Sequence, residues 1–503
     1  MKILTAEQIK GADKYTIEHE PVSSHELMER AARSCLFRIL RHSDDDTEFV
    51  IFCGKGNNGG DGLAISRMLA ERGLKVQTYI INHSANETHD FIENLKLLKD
   101  QAKAKIDVIT NKEELQSIDL NGKFVLDALL GIGINKKVEG ILEETILHIN
   151  NSKCKVTSID VPSGMMPDAD NSKNTIIRAK RTLSFQTPKL AFFFAENYAY
   201  TGNFEILDIG LDVNFIAQQN TLHHFVDSDI INGILLYRTK NSHKGNYGHA
   251  LLIAGSYGKM GAAQLAAKAC LRSGSGLLTV HVPKCGYQIM QTALPEAMVT
   301  CGTEENFVDT LPDLDKYTSI GIGCGLGTDK QTQNIVKLLI QNSPKPLILD
   351  ADALNILAEN KTWLSFLPKF SILTPHPKEF DRIAGAHTSS YDRLDTAKQF
   401  AIKYSIIIIL KGMFTATIMP DGDVFFNSTG NPGLAKGGSG DTLTGIITGL
   451  LARGYAPNYA AILGVYLHGL AADLALKKNH VESLLASDVI DKLPKAFEKL
   501  YEL

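Results

Sequence analysis

Residues 430–454 read GNPGLAKGGSGDTLTGIITGLLARG, and this stretch decides the fold of the C-terminal half. Gly437, Gly438 and Gly440 stand before a run of small and apolar residues, which predicts a loop that becomes a helix. The N–H groups of such a helix start bind anions, and glycines let them approach a phosphate. A bound phosphate repels a carboxylate, so we interpret Asp441 as a reacting group, a base that takes a proton from a hydroxyl about to attack a phosphoryl group. The alternative is a carboxylate that only stabilises the helix start.

Short apolar runs alternate with longer amphipathic segments along the whole chain. This rhythm predicts an α/β fold with a mostly parallel sheet covered on both faces, once in each half. The predicted strands cover residues 49–53, 75–81, 124–128 and 155–160 in the first half, and 250–256, 277–283, 347–352, 371–375, 406–410, 415–419 and 423–427 in the second. The segment near residue 220 has weak periodicity and mixed polarity, so we expect two domains, 1–220 and 221–503.

Composition excludes several classes of protein. With 503 residues, 44% of them hydrophobic and 21% charged, the chain is long enough for two or three domains with full cores. Its net charge of -4 provides no global field for nucleic acid or a membrane surface. The seven cysteines never form a CxxC pair, which argues against a disulfide framework or a zinc site. No apolar stretch approaches the roughly 20 residues that span a bilayer, so we expect a cytoplasmic protein.

The sequence GKGNNGGDG at residues 54–62 follows the first predicted strand. Gly54, Gly56 and Gly59 fit the GxGxxG pattern of a strand-to-helix turn, where open α/β sheets bind phosphates. A dinucleotide-binding fold of the usual kind has an acidic residue near the end of the next strand, but this chain has Asn82 there. The pattern therefore indicates a phosphate site and disfavours an ordinary dehydrogenase.

Two further predicted strands end in carboxylates, Asp127 and Asp160. The carboxyl ends of adjacent parallel strands share one crevice, so we expect these carboxylates to meet Asn58 and Ser163 there. Oxygen ligands of this kind suit a hard cation of low charge density as well as magnesium, and the spacing does not distinguish the two. No Ser/His or Cys/His pair stands nearby, which favours proton transfer or ion positioning over covalent catalysis. Taken singly, each aspartate is equally well a strand-end cap or a salt-bridge partner.

Motifs along nearly the whole chain resemble those of the bifunctional NAD(P)H-hydrate repair enzymes, in which an epimerase domain of the YjeF N-terminal type is fused to a dehydratase domain. The first half carries LTAEQIKGAD, LMERAA, GKGNNGGDGLAISRML, FVLDALLGIG, IDVPSG and QTPKLAFF. The second half carries SHKGNYGHALLIAGSYGKMGAAQLAAKACLRSGSGLL, ILDADALN, LTPHPKEFDRI, ILKG and GNPGLAKGGSGDTLTG. The resemblance implies an N-terminal Rossmann-like three-layer domain followed by a C-terminal ribokinase-like α/β domain.

The same resemblance implies nicotinamide nucleotide repair. In this family the first domain interconverts the R and S epimers of NADHX and NADPHX, cofactors that have gained water across a ring double bond. The second domain dehydrates the S form at the expense of ADP, giving AMP and phosphate, with ATP as the alternative nucleotide. The implied protein is both an isomerase and a lyase, with K⁺ in the epimerase domain and Mg²⁺ in the dehydratase domain. We also expect a homo-oligomer with no nucleic-acid or membrane partner.

In the first domain, the resemblance implies that Asp160 is the catalytic proton-transfer group and contacts the hydrated ring. It implies a potassium ion bound by Asn58, Asp127 and Ser163. The residues implied to hold the phosphates and ribose of the hydrate are Asn57, Asn58, Gly59, Gly60, Asp61, Gly131, Ile132, Gly133, Ile134, Asn135, Lys136 and Lys137.

In the second domain, Asp441 is the implied catalytic residue that faces the substrate hydroxyl. Ala262, Gly325 and His376 are implied to line the hydrate pocket, with Glu379 as a distant anchor for the waters of magnesium. The residues implied to bind the nucleotide are Lys411, Gly412, Met413, Phe414, Thr415 and Gly440.

The main rival is a vitamin or sugar kinase on the same fold, with the first half as a non-catalytic binding module. Kinases similar to this half usually carry Asn at the position of His376, so the histidine favours the dehydratase. The alternative for His376 is an exposed loop histidine between two prolines.

Overall fold

The computed structural model describes residues 1–44 and 46–502, so Asp45 and Leu503 lie outside the described residues. The chain divides into two compact units, one of Lys2–Thr221 and one that joins Met1 to Leu222–Leu503. The first unit contains a sheet of seven strands and the second a sheet of ten.

The sheet of the first unit is parallel throughout. Its strands are β1 (Glu48–Cys53), β2 (Lys75–Ile81), β3 (Lys105–Ile109), β4 (Phe124–Ala128), β5 (Lys155–Ile159), β6 (Arg181–Phe185) and β7 (Asn203–Leu207). They are ordered β3-β2-β1-β4-β5-β6-β7. The strand order reverses direction between β1 and β4, and ligands bind at such switch points in open α/β sheets.

Helices cover both faces of this sheet. They are α1 (Ala6–His19), α2 (Ser24–Leu40), α3 (Asn57–Glu71), α4 (His89–Gln101), α5 (Lys112–Gln116), α6 (Ile141–Asn151), α7 (Tyr198–Thr201) and α8 (Val213–Gln218). Along β1, Phe49 and Ile51 belong to one hydrophobic core, and Val50 and Phe52 belong to another. Burial on both faces is the reason that this strand reads as a continuous apolar run.

The sheet of the second unit is mixed. Its strands are β8 (His223–Val226), β9 (His249–Ile253), β10 (Leu277–Val282), β11 (Met298–Cys301), β12 (Ser319–Ile322), β13 (Leu347–Leu349), β14 (Ile372–Leu373), β15 (Ile407–Leu410), β16 (Ala416–Ile418) and β17 (Val424–Asn427). Their order is β11-β10-β9-β12-β13-β14-β15-β16-β17-β8. The neighbours from β11 to β15 are parallel, β15–β16 and β16–β17 are antiparallel, and β17–β8 is parallel. Here the switch point lies between β9 and β12.

The helices of the second unit are α9 (Ser228–Asn232), α10 (Met260–Arg272), α11 (Gly286–Ala293), α12 (Lys330–Asn342), α13 (Ala351–Glu359), α14 (Pro377–Ala384), α15 (Ser390–Tyr404), α16 (Ser439–Ala452), α17 (Pro457–Ala475) and α18 (Ala486–Tyr501). Helix α16 packs against α10 at backbone distance. A Cβ on Gly445 would lie 2.1 Å from the carbonyl oxygen of Ala266, and one on Gly449 would lie 2.4 Å from that of Cys270. Only glycine permits this approach, which explains why small residues follow the predicted loop.

The α/β class predicted for both halves is confirmed. All of the predicted strands are present, including the hairpin of β16 and β17, whereas β3, β6, β7, β8, β11 and β12 are not among those predicted. Within the described part of the chain, no helix is long and apolar enough to cross a membrane.

Candidate active sites of the two units

The chain turns sharply between β1 and α3. A Cβ on Gly59 would lie 1.9 Å from the carbonyl oxygen of Gly54, and one on Gly54 would lie 2.0 Å from that of Leu129. At Gly56, by contrast, no heavy atom lies within 4 Å of the Cβ position. Gly54 and Gly59 must therefore be glycines, because a side chain on either would collide with the backbone. Gly56 has open space around it at the start of α3.

A cavity of ≈ 1360 Å³ adjoins this turn, at the carboxyl ends of β1, β4 and β5. Of the predicted residues, those that line it are Asn57, Asn58, Asp61, Gly131, Ile132, Gly133, Ile134, Asn135, Lys136, Lys137 and Asp160. Gly59 and Gly60 do not line it, because Gly59 abuts Gly54 and Gly60 abuts Met28. Helix α1 adds Lys10 and Asp13, which the sequence analysis did not single out.

Asp127 is fully buried and does not itself line the cavity. One of its oxygens accepts a hydrogen bond from Ser163 Oγ at 2.5 Å, and the other accepts from the Ser163 N–H at 2.9 Å and from Ser158 Oγ at 2.7 Å. Burial raises the pKa of Asp127, while the bonds from Ser163 and Ser158 act to lower it. Ser163 Oγ in turn accepts from the Leu130 N–H at 2.9 Å. Two of the three predicted cation ligands are therefore in direct contact.

Asn58, the third predicted ligand, is 7% exposed. Neither polar atom of its side-chain amide has a hydrogen-bond partner among the described residues. Leaving such a group unpaired costs about 1–3 kcal/mol, which indicates a site for a ligand. Amide, carboxylate and hydroxyl oxygens form the donor set that hard cations prefer. The unpaired amide of Asn58 and the oxygens of Asp127 and Ser163 are thus of the chemical types that bind a cation such as K⁺, although both oxygens of Asp127 already accept hydrogen bonds within the protein.

Asp160 follows β5 directly and has a left-handed backbone conformation, with φ of 64°. Its carboxylate lies 3.2 Å from the ammonium of Lys189 and accepts the N–H of Ile132 at 3.3 Å. Lys189 is fully buried, and its ammonium also donates to the carbonyl oxygens of Phe185 and Thr187 at 2.9 and 3.0 Å. Such a backbone conformation costs about 1–3 kcal/mol and is concentrated at functional sites. The structure thus holds this carboxylate in one position on the cavity wall.

Two more carboxyl groups, those of Asp13 and Asp61, line the same cavity. Burial, and then the negative charge of Asp160, raise the pKa of Asp13 to about 6, with Lys189 opposing. Burial, followed by the charges of Asp160 and Asp13, raises the pKa of Asp61 well above its usual range. A cavity with several perturbed carboxyls beside one buried ammonium is suited to proton transfer.

In the second unit, α16 begins at Ser439, directly after Gly438, which has a φ of 90°. The predicted loop-to-helix transition is therefore confirmed. Asp441 lies in the first turn of the helix and is half-buried. Burial, and then the negative charge of Asp350, raise the pKa of Asp441, and Lys411 opposes this. The carboxylate accordingly has a stronger affinity for protons than an ordinary aspartate, as a base requires.

Asp350, which the sequence analysis did not single out, lies at the centre of this site and is 1% exposed. One of its oxygens accepts from Thr374 Oγ1 at 2.7 Å and from the Lys411 ammonium at 3.0 Å. The other accepts from Thr444 Oγ1 at 2.8 Å. Burial acts to lower the pKa of Lys411, but Asp350 and Glu379 outweigh it and raise that pKa. A charged lysine is therefore held beside the start of α16.

The predicted nucleotide-binding residues are Lys411 itself, the four residues that follow it, and Gly440, which lies beside the Lys411 ammonium. Lys411–Thr415 connects β15 to β16, and within it the Gly412 N–H donates to Thr415 Oγ1 at 3.3 Å. A Cβ on Gly440 would lie 3.4 Å from the Lys411 ammonium nitrogen and 3.5 Å from a carboxylate oxygen of Asp350. Gly440 therefore keeps the space in front of the lysine open.

Ala262 and Gly325, predicted to line the hydrate pocket, are neighbours at the switch point of the sheet. A Cβ on Gly325 would lie 2.9 Å from that of Ala262, and Gly325 itself has a φ of 60°. Ser256 Oγ holds this turn by donating to the Gly325 carbonyl at 2.8 Å.

His376 lies between Pro375 and Pro377, is partly exposed, and is the N-cap of α14. The imidazole Nδ1 of His376 accepts hydrogen bonds from the backbone N–H groups of Lys378 and Glu379 at 3.2 and 3.4 Å. The backbone N–H of His376 donates to the Glu379 carboxylate at 2.8 Å. Burial lowers the pKa of His376. The negative charge of Glu379 opposes this shift, and the positive charge of Lys411 adds to it. The imidazole is therefore neutral at neutral pH, with Nδ1 as an acceptor.

Among the described residues around Asp441, the side chains do not form a cage for Mg²⁺. Cys324, Asp350 and Asp441 have ligand atoms within 4.8 Å of one another. However, Asp350 already accepts three hydrogen bonds, and a thiol is a poor ligand for this ion. Glu379, the expected distant anchor, is engaged with His376. Mg²⁺ carried by nucleotide phosphates and water agrees better with this arrangement.

Comparisons with known proteins cover both units. Residues 24–191 match the family described as YjeF-related protein N-terminus, and residues 250–495 match the family described as NAD(P)H-hydrate dehydratase. The bifunctional NAD(P)H-hydrate repair enzyme of Moorella thermoacetica is 34% identical over 519 residues, which cover 100% of this chain and 98% of that protein. The chain belongs to the family of bifunctional NAD(P)H-hydrate repair enzymes. The member from Coxiella burnetii is 33% identical over 498 residues, covering 97% of each chain.

Membership of the repair-enzyme family confirms the interpretation made from the sequence motifs, including the class of bifunctional enzyme. Among solved structures, the ADP/ATP-dependent NAD(P)H-hydrate dehydratase of Bacillus subtilis, co-crystallised with ATP and Mg²⁺, is 35% identical to this chain. The match covers 55% of this chain and 98% of the Bacillus subtilis chain, with a TM-score of 0.48.

Proposed function

We propose that the unit Lys2–Thr221 interconverts the R and S epimers of NAD(P)H hydrates, and that the second unit dehydrates the S epimer at the expense of ADP, with ATP as the alternative. The observation that carries the proposal is the position of Asp441, half-buried in the first turn of α16 and beside the Lys411–Asp350 pair. This arrangement combines a base, an anion-binding helix start and a fixed positive charge, which are the parts that phosphoryl transfer to a hydroxyl requires.

In the dehydratase unit, Asp441 takes the proton of the substrate hydroxyl as that oxygen attacks the terminal phosphoryl group. Lys411 and the N–H groups at the start of α16 stabilise the charge on the phosphates. Hydroxide is a poor leaving group, whereas phosphate departs readily as the lone pair of the ring nitrogen forms C=N⁺, and loss of a proton from the adjacent ring carbon then restores the double bond. Mg²⁺, when bound, would neutralise part of the phosphate charge. Ala262, Gly325 and His376 would line the pocket of the hydrated ring.

In the epimerase unit, the turn from Asn57 to Asp61 and the loop from Gly131 to Lys137 would bind the phosphates and ribose of the hydrate. Asp160 would contact the ring and transfer a proton, with Lys189 fixing its carboxylate. Asn58, Asp127 and Ser163 would hold K⁺, which supplies a positive charge next to the substrate. The unpaired amide of Asn58 supports this assignment. A homo-oligomeric state and a cytoplasmic location remain predictions.

The test supplies the full chain with an equimolar mixture of R and S hydrates, and with ADP or ATP, while the absorbance of reduced nicotinamide is followed. Complete recovery supports both activities, whereas recovery of the S portion alone supports only the dehydratase. No recovery, together with phosphorylation of a sugar or vitamin, would replace the proposal with the kinase alternative. The relative rates with ADP and ATP decide the nucleotide.

A further inference from the structure

The cavity of the first unit is lined by carboxyl groups that have no part in the roles described above, and one of them is unpaired beside Asp160 in its electrostatic surroundings. It belongs to Asp13, on a stripe of α1 that lines the cavity. That stripe consists of Ile9, Lys10, Asp13, Lys14, Ile17 and Glu18. Positions three and four residues apart share one face of a helix, so α1 presents this face to the substrate space. Asp13 has no hydrogen-bond partner in residues 1–44 and 46–502. The Asp13 carboxyl is partly buried and unpaired on the wall of a cavity, a combination that indicates function.

Asp13 and Asp160 have opposite environments although both line the same cavity. Asp160 has an ammonium at 3.2 Å and an N–H donor at 3.3 Å, both of which stabilise a carboxylate. Asp13 has neither, and burial together with the charge of Asp160 raises the pKa of Asp13 to about 6. Two carboxyls whose surroundings differ in this way are suited to separate acid and base roles.

Asp61, from α3, is the other carboxyl that faces this pair. Its pKa is raised well above the usual range by burial, by Asp160 and Asp13, and by Asp90. Asp61 is also buried, with 8% of its surface exposed, whereas Asp13 is partly exposed to the cavity and can exchange its proton with bound substrate and solvent. The remaining charged groups around Asp13 are Lys189 and, on its own helix, Lys10, Lys14 and Glu18. Of the two candidates, Asp13 is the better proton donor.

The chemistry of the hydrate calls for both an acid and a base. Water adds to the ring double bond so that the hydroxyl is on the carbon bonded to the ring nitrogen, because nitrogen stabilises positive charge on that carbon. The same stabilisation allows the hydroxyl to leave once it is protonated. Returning water to the other face of the ring then inverts the carbon.

We propose that Asp13 and Asp160 form the acid–base pair of the epimerase unit, and that they invert the hydrated carbon by loss and return of water. This inference rests on the epimerase function proposed above. In one direction, Asp13 donates its proton to the hydroxyl, the C–O bond breaks, and the nitrogen lone pair forms C=N⁺. Water then attacks the other face and gives a proton to the Asp160 carboxylate. One water leaves and one enters; Asp160 then releases its proton to solvent, and solvent returns a proton to Asp13, which restores both groups. Gly131, whose Cβ position is only 3.4 Å from the Asp160 carboxylate, keeps space for the ring.

The first experiment follows oxygen. The full chain repairs the R hydrate with nucleotide in ¹⁸O-labelled water, and the released phosphate is analysed by mass spectrometry, with the uncatalysed epimerisation subtracted. The dehydratase step transfers the hydroxyl oxygen to phosphate, so loss and return of water predicts labelled phosphate. Unlabelled phosphate at full repair of the R hydrate would overturn the inference while leaving the epimerase function intact. Failure of the unaltered chain to repair the R hydrate would instead overturn the proposed function.

The second experiment uses variants. Asp13→Asn should slow epimerisation of the R hydrate by about 10²- to 10⁴-fold, the range of a general acid. Dehydration of the pure S hydrate, measured in the same sample, reports whether the chain is folded. Asp13→Glu should recover part of the rate, since it restores a carboxyl. Glu7→Gln is the matched control, because it removes an exposed carboxylate from α1 that does not line the cavity, and it should change the rate less than about twofold.

Three outcomes would count against Asp13. The inference is wrong if Asp13→Asn epimerises normally, or if Glu7→Gln is impaired equally. It is also wrong if Asp61→Asn abolishes epimerisation while Asp13→Asn does not, because Asp61 would then be the acid. In the unaltered chain, epimerisation should decline as the pH rises through the pKa of Asp13, and this decline should be absent from the residual activity of Asp13→Asn.

Discussion

Replacing Gly59 by alanine tests the turn between β1 and α3 at the point where it is tightest. The added Cβ would lie 1.9 Å from the Gly54 carbonyl oxygen, whereas real Cβ atoms essentially never approach closer than 3.0 Å. The backbone must therefore move by about 1 Å, and overpacking of this kind costs about 3 kcal/mol. Lower entropy of the unfolded chain returns about 0.4–1 kcal/mol. We expect a net loss of about 2 kcal/mol.

Gly56→Ala is the matched control in the same turn. No heavy atom lies within 4 Å of its Cβ position, and its φ of -94° suits any residue. The change affects only the helix cap, at about 1 kcal/mol or less. By calorimetry on the full chain, Gly59→Ala should lower the unfolding temperature of the first unit by about 4–8 °C, at about 2–4 °C per kcal/mol. An unfolding temperature of Gly59→Ala equal to that of the unaltered chain, or equal losses in both variants, would refute the reasoning.

Three further predictions concern single side chains. Asp441→Asn should reduce phosphate release from the S hydrate by at least about a hundredfold, because the variant lacks the base. Its nucleotide affinity, measured by calorimetry, should stay within about threefold of the unaltered chain. Unimpaired phosphate release would remove Asp441 from the mechanism. Asp350→Ala leaves Lys411 without its carboxylate in a mostly buried site, so chemical denaturation should show a loss of about 3 kcal/mol in the second unit. Lys411→Met leaves the buried Asp350 carboxylate without its cation and should show a loss at least as large; unchanged stability of both variants would contradict this reasoning. Ser163→Ala removes a proposed cation ligand and a hydrogen bond to Asp127. The K⁺ concentration for half-maximal epimerisation should rise by about tenfold or more. An unchanged K⁺ dependence would argue against this site.

The strands that the sequence reveals are those with apolar residues on both faces, such as β1 and β15. Strand β12 was missed because it contains Gly321, which reads as a loop residue. In the structure a Cβ on Gly321 would lie 2.5 Å from Thr448 Oγ1, so the glycine is required by packing against α16. Strand β3 was missed for a different reason: it is an edge strand with mostly exposed side chains, and its apolar residues form no continuous run.

The residues of the sites show the same contrast. Asp127 and Asp160 could be predicted because each stands at the end of an apolar run, where parallel strands meet. Asp350 also follows a strand, but its importance depends on three hydrogen-bond partners that are distant in sequence. Asp13 is a helical residue, and only the folded chain brings it to the cavity that Asp160 lines. Local patterns therefore identified strand-end groups and missed those that tertiary contacts define.

The glycine contacts between α10 and α16 have a consequence for how the dehydratase unit keeps its alignment. Gly445 meets Ala266 and Gly449 meets Cys270, so the two helices run side by side in parallel and in fixed register. Ala262 is near the start of one helix and Asp441 is near the start of the other. The contact between the helices therefore fixes the distance between Ala262 and Asp441, independently of the loops that precede each helix. A methyl group added at either glycine would thus shift the starts of both helices relative to each other, and with them Ala262 and Asp441.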